Sequence, residues 1–194
     1  MHQSLIDRRT YRPDRGQLFL ERLSLARGRV HEICGPARHT LALIVAGAMT
    51  GPVFWCRPGW GVDRLHGPGM TRFLDPGRVT FIAAERPQDL LWTMEEVLRA
   101  GVVPLVVADL PGPVALTPMR RMHLAAETGG GRALGVVLTP EGASAGAESR
   151  WSFGFAHGAQ EGWRLSRLRD RQEPPRDWRV GVKDGGFALG PLSS

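Results

Sequence analysis

Lysine is almost missing from this chain of 194 residues: Lys183 is the only one, so 24 of its 25 basic side chains are arginine. A loop lysine that grips phosphate in the first half of the chain is therefore excluded. Cysteine is nearly as scarce. Cys34 and Cys56 form no C-x-x-C pair and are too few for a disulfide framework, so buried free thiols in a reducing compartment are expected. Long apolar runs are lacking as well. The longest, Leu41–Met49, falls far short of a bilayer span, and MHQSLIDRRTYRPDR offers no apolar signal region. Cytoplasmic residence is the expectation. The six histidines have no metal-ligand spacing. His31 and His39 flank one turn eight residues apart, and satisfied histidines rather than zinc ligands are expected there.

What the chain does have is 42% hydrophobic content, enough for one full core, and a net charge of +6. Arginine forks suit carboxylates and phosphates, which allows acidic proteins or nucleic acid as partners. An arginine preference set by genome composition explains the same excess.

The stretch HEICGPARHTLALIVAGAMT, His31–Thr50, organises the rest. It reads as a buried strand, a Gly-Pro turn and a helix from Arg38 to Met49. That helix is apolar on every side, so the fold must enclose it. Strand, turn and helix open a nucleotide-binding α/β domain when the turn carries G-x-x-x-x-G-K-[ST]. Here the turn is GPARHT. Gly35, Pro36, Arg38 and Thr40 remain as a remnant phosphate loop, without the second glycine or the lysine.

The first 29 residues carry seven arginines against three acids, and a helix is expected over Asp14–Ala26 before Gly28. Strands are predicted at His31–Cys34, Pro52–Cys56, Arg78–Ala83, Pro104–Ala108 and Arg132–Leu138. Between them lie helices at Arg38–Met49 and Pro87–Ala100, with Gly101 as the stop, and one capped by Thr117 that runs to Thr128. A Gly/Pro-rich loop follows Cys56, with a helical turn at Gly69–Leu74. Serial βα units imply a parallel sheet. Trp151–Phe155, Gly162–Leu168 and Trp178–Val182 read as antiparallel additions at one edge, and KDGGFALGPLSS as a mobile tail.

Chemistry-bearing candidates are few. Asp109 ends the fourth strand, where an acid in working P-loop enzymes holds magnesium. Without the lysine, a hydrogen bond to the neighbouring turn is the expected role. No water-activating acid stands beyond the second strand before Asp63, and Glu85 lies one strand away from that role. Gly142-Ala-Ser144-Ala-Gly146 spells G-x-S-x-G, but no downstream acid-then-histidine order exists, since His157 precedes Asp170, Asp177 and Asp184. A flexible segment is expected there. Arg150-Trp151, Trp163-Arg164 and Trp178-Arg179 set cations beside stacking faces, as nucleic-acid binders do, although core packing of strand tryptophans is the simpler reading. On the helix after Thr117, Arg120, Arg121, His123 and Glu127 share one arc, with Leu124 among them.

RVHEICGPAR followed by TLAL resembles the first strand and helix of RecA. VHEICGPAR, GPVFW, FLDPGRV, LLWTMEEVLRAG, LTPMRRMHLAAE and SRW resemble the ImuA family, SulA-related accessory proteins of bacterial damage-induced mutagenesis, over residues 29–155. The resemblance implies a RecA-like three-layer α/β fold with a mostly parallel central sheet and antiparallel additions at its C-terminal edge. The chain is expected to divide into an Arg-rich helical segment (1–28), a RecA-like core with a degenerate phosphate loop (29–165), and a C-terminal strand and tail (166–194). It implies a non-catalytic adaptor without cofactor, working with RecA, an ImuB-like protein and a DnaE-type error-prone polymerase. The loops corresponding to RecA's DNA-contacting ones, Pro111–Leu116 and Thr139–Ser149, carry no Arg, Lys or aromatic residue, so any DNA contact is expected to be indirect. By analogy with RecA, the N-terminal segment would dock on a RecA-like surface. Partner-binding candidates are Arg120, Arg121 and Leu124, with Leu18, Phe19 and Arg22 on that segment. A divergent ATPase using Asp109 and a SulA-like inhibitor of cell division are the alternative readings.

Overall fold

Helix α1 (Arg38–Gly47) buries every residue from Leu41 to Ala46. A helix without a polar face needs cover on the side away from the sheet, and the N-terminal part of the chain supplies it. The computed structural model describes residues 16–61, 65–156, 162–183 and 185–192. The arginine-rich leader as far as Arg15, together with Asp63, His157 and Asp184, lies outside the described residues.

The helix expected over Asp14–Ala26 is, in its described part, a β-hairpin of β1 (Gln17–Phe19) and β2 (Leu23–Leu25). Its residues alternate: Gln17, Phe19, Leu23 and Leu25 point inward, while Leu18 and Ser24 point out. That period of two is why no helical stripe emerges. Phe19, Leu20, Leu23 and Leu25 close over α1 in one hydrophobic core.

The remaining elements form one sheet with helices on both faces. They are β3 (Val30–Cys34), β4 (Val53–Pro58), α2 (Gly67–Met70), β5 (Val79–Ala84), α3 (Pro87–Ala100), β6 (Leu105–Asp109), α4 (Leu116–Thr128), β7 (Leu134–Thr139), β8 (Ser149–Phe155), β9 (Trp163–Asp170), β10 (Arg176–Lys183) and β11 (Gly186–Gly190). The strand order is β11-β10-β9-β8-β3-β7-β6-β4-β5. From β8 to β5 every neighbouring pair is parallel, whereas β8–β9, β9–β10 and β10–β11 are antiparallel. The protein is thus a mixed α/β fold on a large, mostly parallel nine-strand sheet.

Several expectations shift. β8 joins the parallel set beside β3, so the antiparallel additions begin only at β9. The glycine-rich tail is a paired strand, β11, through Gly190. Helix α1 stops at Gly47, leaving Met49 in the core beyond it, and the helical turn expected at Gly69–Leu74 starts two residues earlier, as helix α2 over Gly67–Met70. Helix α4 begins at Leu116 after Ala115, so Thr117 does not cap it.

The sheet separates two cores. Ile33, Trp55, Val107, Leu138 and Trp151 face α1 and the hairpin. Val30, Cys56, Val106 and Val137 face α3 and α4. Both sides of the central strands are covered, which accounts for their continuous apolar runs. Helix α3 ends as its glycine predicts: Gly101 sits at φ 63° and donates to the Val97 carbonyl. A β-carbon there would stand 2.0 Å from the Gly129 carbonyl oxygen, so the ends of α3 and α4 meet backbone to backbone. Among the described residues no helix is long and apolar enough to cross a membrane.

Candidate functional site at the ends of the central strands

In an α/β sheet, ligands gather at the carboxyl ends of the strands where neighbouring connections leave on opposite faces. Here β3 leads into α1 on one face and β6 into α4 on the other. The remnant phosphate turn and Asp109 lie at this place.

The turn's backbone is committed to the protein itself. Gly35 N donates to the Pro140 carbonyl (3.1 Å), Ala37 N to the Phe153 carbonyl (3.0 Å) and Arg38 N to the Gly35 carbonyl (3.2 Å). Pro36 has no N–H to offer. Gly35 adopts φ 93°, and a β-carbon on it would lie 2.7 Å from the Phe153 oxygen, so β8 crosses directly against the turn. Thr40 is half-buried on the first turn of α1.

Asp109 faces that same turn. His39 Nε2 lies 2.6 Å from its Oδ2, and Arg38 Nε lies 3.9 Å from Oδ1. The His39 ring stacks on Trp55, with centroids 6.4 Å apart. Arg38 Nε is buried and makes no hydrogen bond. Asp109 Oδ2 is thus engaged by His39 Nε2, on the first turn of α1.

Beneath the turn lies a feature that sequence reasoning missed. Glu32, fully buried in β3, accepts hydrogen bonds from Thr139 Oγ1 (2.8 Å), Ser144 Oγ (2.6 Å), Ser144 N (3.0 Å) and Arg150 Nε (2.5 Å). Burial alone would raise its pKa. The bonds from Ser144, Arg150 and Thr139 outweigh burial and hold the carboxyl below its ordinary value. The clue was a glutamate inside an apolar strand, since a buried charge requires partners.

Ser144 carries this anchoring further. Its Oγ accepts from Val114 N (2.9 Å), and Ala145 N donates to the Val114 carbonyl (2.9 Å). The loops before α4 and after β7 are thereby pinned to each other and to β3. The GASAG segment, expected to be flexible, is held in place with Ser144 fully buried.

His31 and His39 do not come together as ligands. His31 is buried, its Nε2 2.9 Å from the Ala26 carbonyl and its Nδ1 2.6 Å from Ser149 Oγ. A carbonyl can only accept, so Nε2 carries the proton and Nδ1 accepts from Ser149. Burial drives the His31 pKa down to about 4. Among the described residues no group of three or more His, Cys, Asp or Glu is placed to hold a metal.

The partner-binding candidates divide. Arg120 and Arg121 are exposed on α4, Arg121 pairing with Glu95 at 2.8 Å, and Leu124 is 61% exposed beside them. Leu18 and Arg22 are exposed on the hairpin. Phe19 is not available: it is 2% exposed and packs edge-on against Trp151, because strand alternation turns it inward. The tryptophans follow the packing reading. Trp151 and Trp178 are buried, stacked at 6.0 Å, with Arg167 lying over both rings.

Comparison with models of protein families gives no match, and comparison with curated proteins gives none.

Proposed function

We propose that the chain is a non-catalytic adaptor with a RecA-like core, of the ImuA kind, serving the damage-induced mutagenesis machinery of a bacterial cell. In this reading it bridges RecA to an ImuB-like protein and a DnaE-type error-prone polymerase. The observation that carries the reading is the closure of the remnant phosphate turn. Its Gly35, Ala37 and Arg38 amides already donate to carbonyls, and Asp109 is engaged by His39. An anion site at a helix N-terminus depends on free N–H groups, and these three are taken. The exposed Leu124 among the α4 arginines supplies a contact face.

Two measurements test this. Calorimetric titration of the purified chain with Mg-ATP is expected to give no binding heat. A pull-down from DNA-damaged cells is expected to recover RecA and translesion polymerases. Magnesium-dependent ATP turnover, or recovery of division proteins alone, would overturn the proposal.

A further inference from the structure

A sheet that does not close has two edges, and each edge strand turns half of its main-chain donors and acceptors away from its one neighbour. Here the edges are β11 and β5. β11 is a poor docking edge: glycine stands at both its ends and Pro191 follows directly. β5 has no such guard. Val79–Ala84 (VTFIAA) is rich in β-branched and aromatic side chains and contains no charge, proline or glycine.

The hydrogen bonding tells which groups of β5 point outward. The Ala84 carbonyl accepts from Gly59 N (2.8 Å), just past the end of β4, so Ala84 aims its polar groups at β4. By strand alternation Ile82 and Thr80 do the same, while Val79, Phe81 and Ala83 aim theirs away from the sheet. Val79 N is already used, donating to the Pro76 carbonyl. The edge therefore offers the N–H groups of Phe81 and Ala83 and the carbonyls of Val79, Phe81 and Ala83. Thr80, Phe81 and Ala83 are exposed.

What fits this edge is the same edge turned about a two-fold axis normal to the sheet. Phe81 then faces Phe81 of the second copy, Val79 faces Ala83, and Thr80 faces Ile82. Each Phe81 N–H meets the other copy's Phe81 carbonyl, and each Ala83 N–H meets the other's Val79 carbonyl. Every outward N–H left free by the fold finds an acceptor. The flanking charges agree with this direction. Arg78 precedes the strand and Glu85 follows it, so an antiparallel copy brings each within one position of its opposite, whereas a parallel copy would align like with like. Arg78 grips the Gly51, Ala46 and Met49 carbonyls through Nε and Nη2, bonds that do not use its Nη1.

We propose that β5 is a homodimer interface, where two copies of this chain pair antiparallel about Phe81 and continue one sheet through both. Helix α4 packs against β3 and α3, away from this edge, so the dimer presents the Leu124 face twice. The proposal does not depend on the adaptor reading.

The test is the mass of the full chain by analytical ultracentrifugation across micromolar concentrations. Twice the mass of one chain is expected. Phe81→Lys and Phe81→Glu, at an exposed position, are each expected to return the mass to that of one chain, with the melting temperature monitored alongside. Mixed in equal amounts, the two variants are expected to dimerise again, because only two-fold pairing sets position 81 against itself. If either variant fails to fold, amide hydrogen exchange of the parent decides. Protection of Phe81 and Ala83 that rises with protein concentration supports the interface, and exchange independent of concentration overturns it. A single-chain mass throughout, a dimer undiminished in both charged variants, a mixture that stays monomeric, or open-ended growth to higher oligomers would also overturn it.

Discussion

His39 Nε2 stands 2.6 Å from Asp109 Oδ2, a contact across 70 positions of sequence that joins the first turn of α1 to the end of β6. Both side chains are partly exposed, at 27% and 19%, so solvent screens the pair. A double-mutant cycle on His39→Ala and Asp109→Ala is expected to return a coupling of about 0.5–1 kcal/mol in chemical denaturation. Additive single effects would remove the pair from the account of how the turn is closed.

The Glu32 network should be worth much more. Glu32→Ala leaves Arg150 and Ser144 without their shared acceptor and should cost on the order of 3 kcal/mol or more. Ser144→Ala strips the partner from Val114 N and is expected to cost about 1–3 kcal/mol. Limited proteolysis gives an independent readout, with new cleavage between Thr139 and Ser149 in both variants. A Ser144→Ala protein as stable and as resistant as the parent would show that the loop is held by something else.

Acid should loosen the attachment of the hairpin to the sheet. His31 binds its proton at about 4 in the folded chain against an ordinary value of 6.5. Between those values the unfolded chain takes up the proton and the folded one does not, so stability falls as pH falls. The slope approaches about 1.4 kcal/mol per pH unit inside that window. Melting curves from pH 7 to pH 4 should show the loss, and a His31→Gln protein should show a shallower dependence. Identical profiles would mean that other groups govern the acid limb.

Both thiols should be silent in the native protein. Burial pushes Cys56 up to about 12, and burial together with the Glu32 charge raises Cys34. A disulfide-exchange reagent should titrate neither until denaturant is added, and both afterwards. Rapid reaction of one thiol under native conditions would show that its strand opens locally.

For the contact face, Leu124→Glu is expected to change stability by less than about 0.5 kcal/mol, since the side chain is 61% exposed. The same substitution should abolish recovery of partners from damaged cells. Unchanged recovery would move the interface away from α4.

Much of this architecture was legible from periodicity. The apolar runs at Leu105–Asp109 and Leu134–Thr139 are central parallel strands. Pro87 and Gly101 bracket α3 as expected. Trp151 and Trp178 pack into the core, because bulky residues in strands bury where the sheet has a partner layer. Elsewhere local pattern and tertiary demand diverge. Three-residue strands such as Gln17–Phe19 and Leu23–Leu25 are too short to display their alternation against a helical pattern. A glycine-rich tail gives no sign that an open sheet edge is waiting for it.

The amino-acid sequence by itself determined that α1 would be enclosed, that the phosphate turn would lack its lysine, and that βα units would lay down parallel strands. Those are properties of composition and spacing. Only the tertiary structure decided what occupies the turn, because His39 and Asp109, or Glu32 and Ser144, are brought together by strand order across most of the chain. Hydrogen bonds between such distant groups leave no periodic trace in the sequence, and their partners exist only once the sheet has closed.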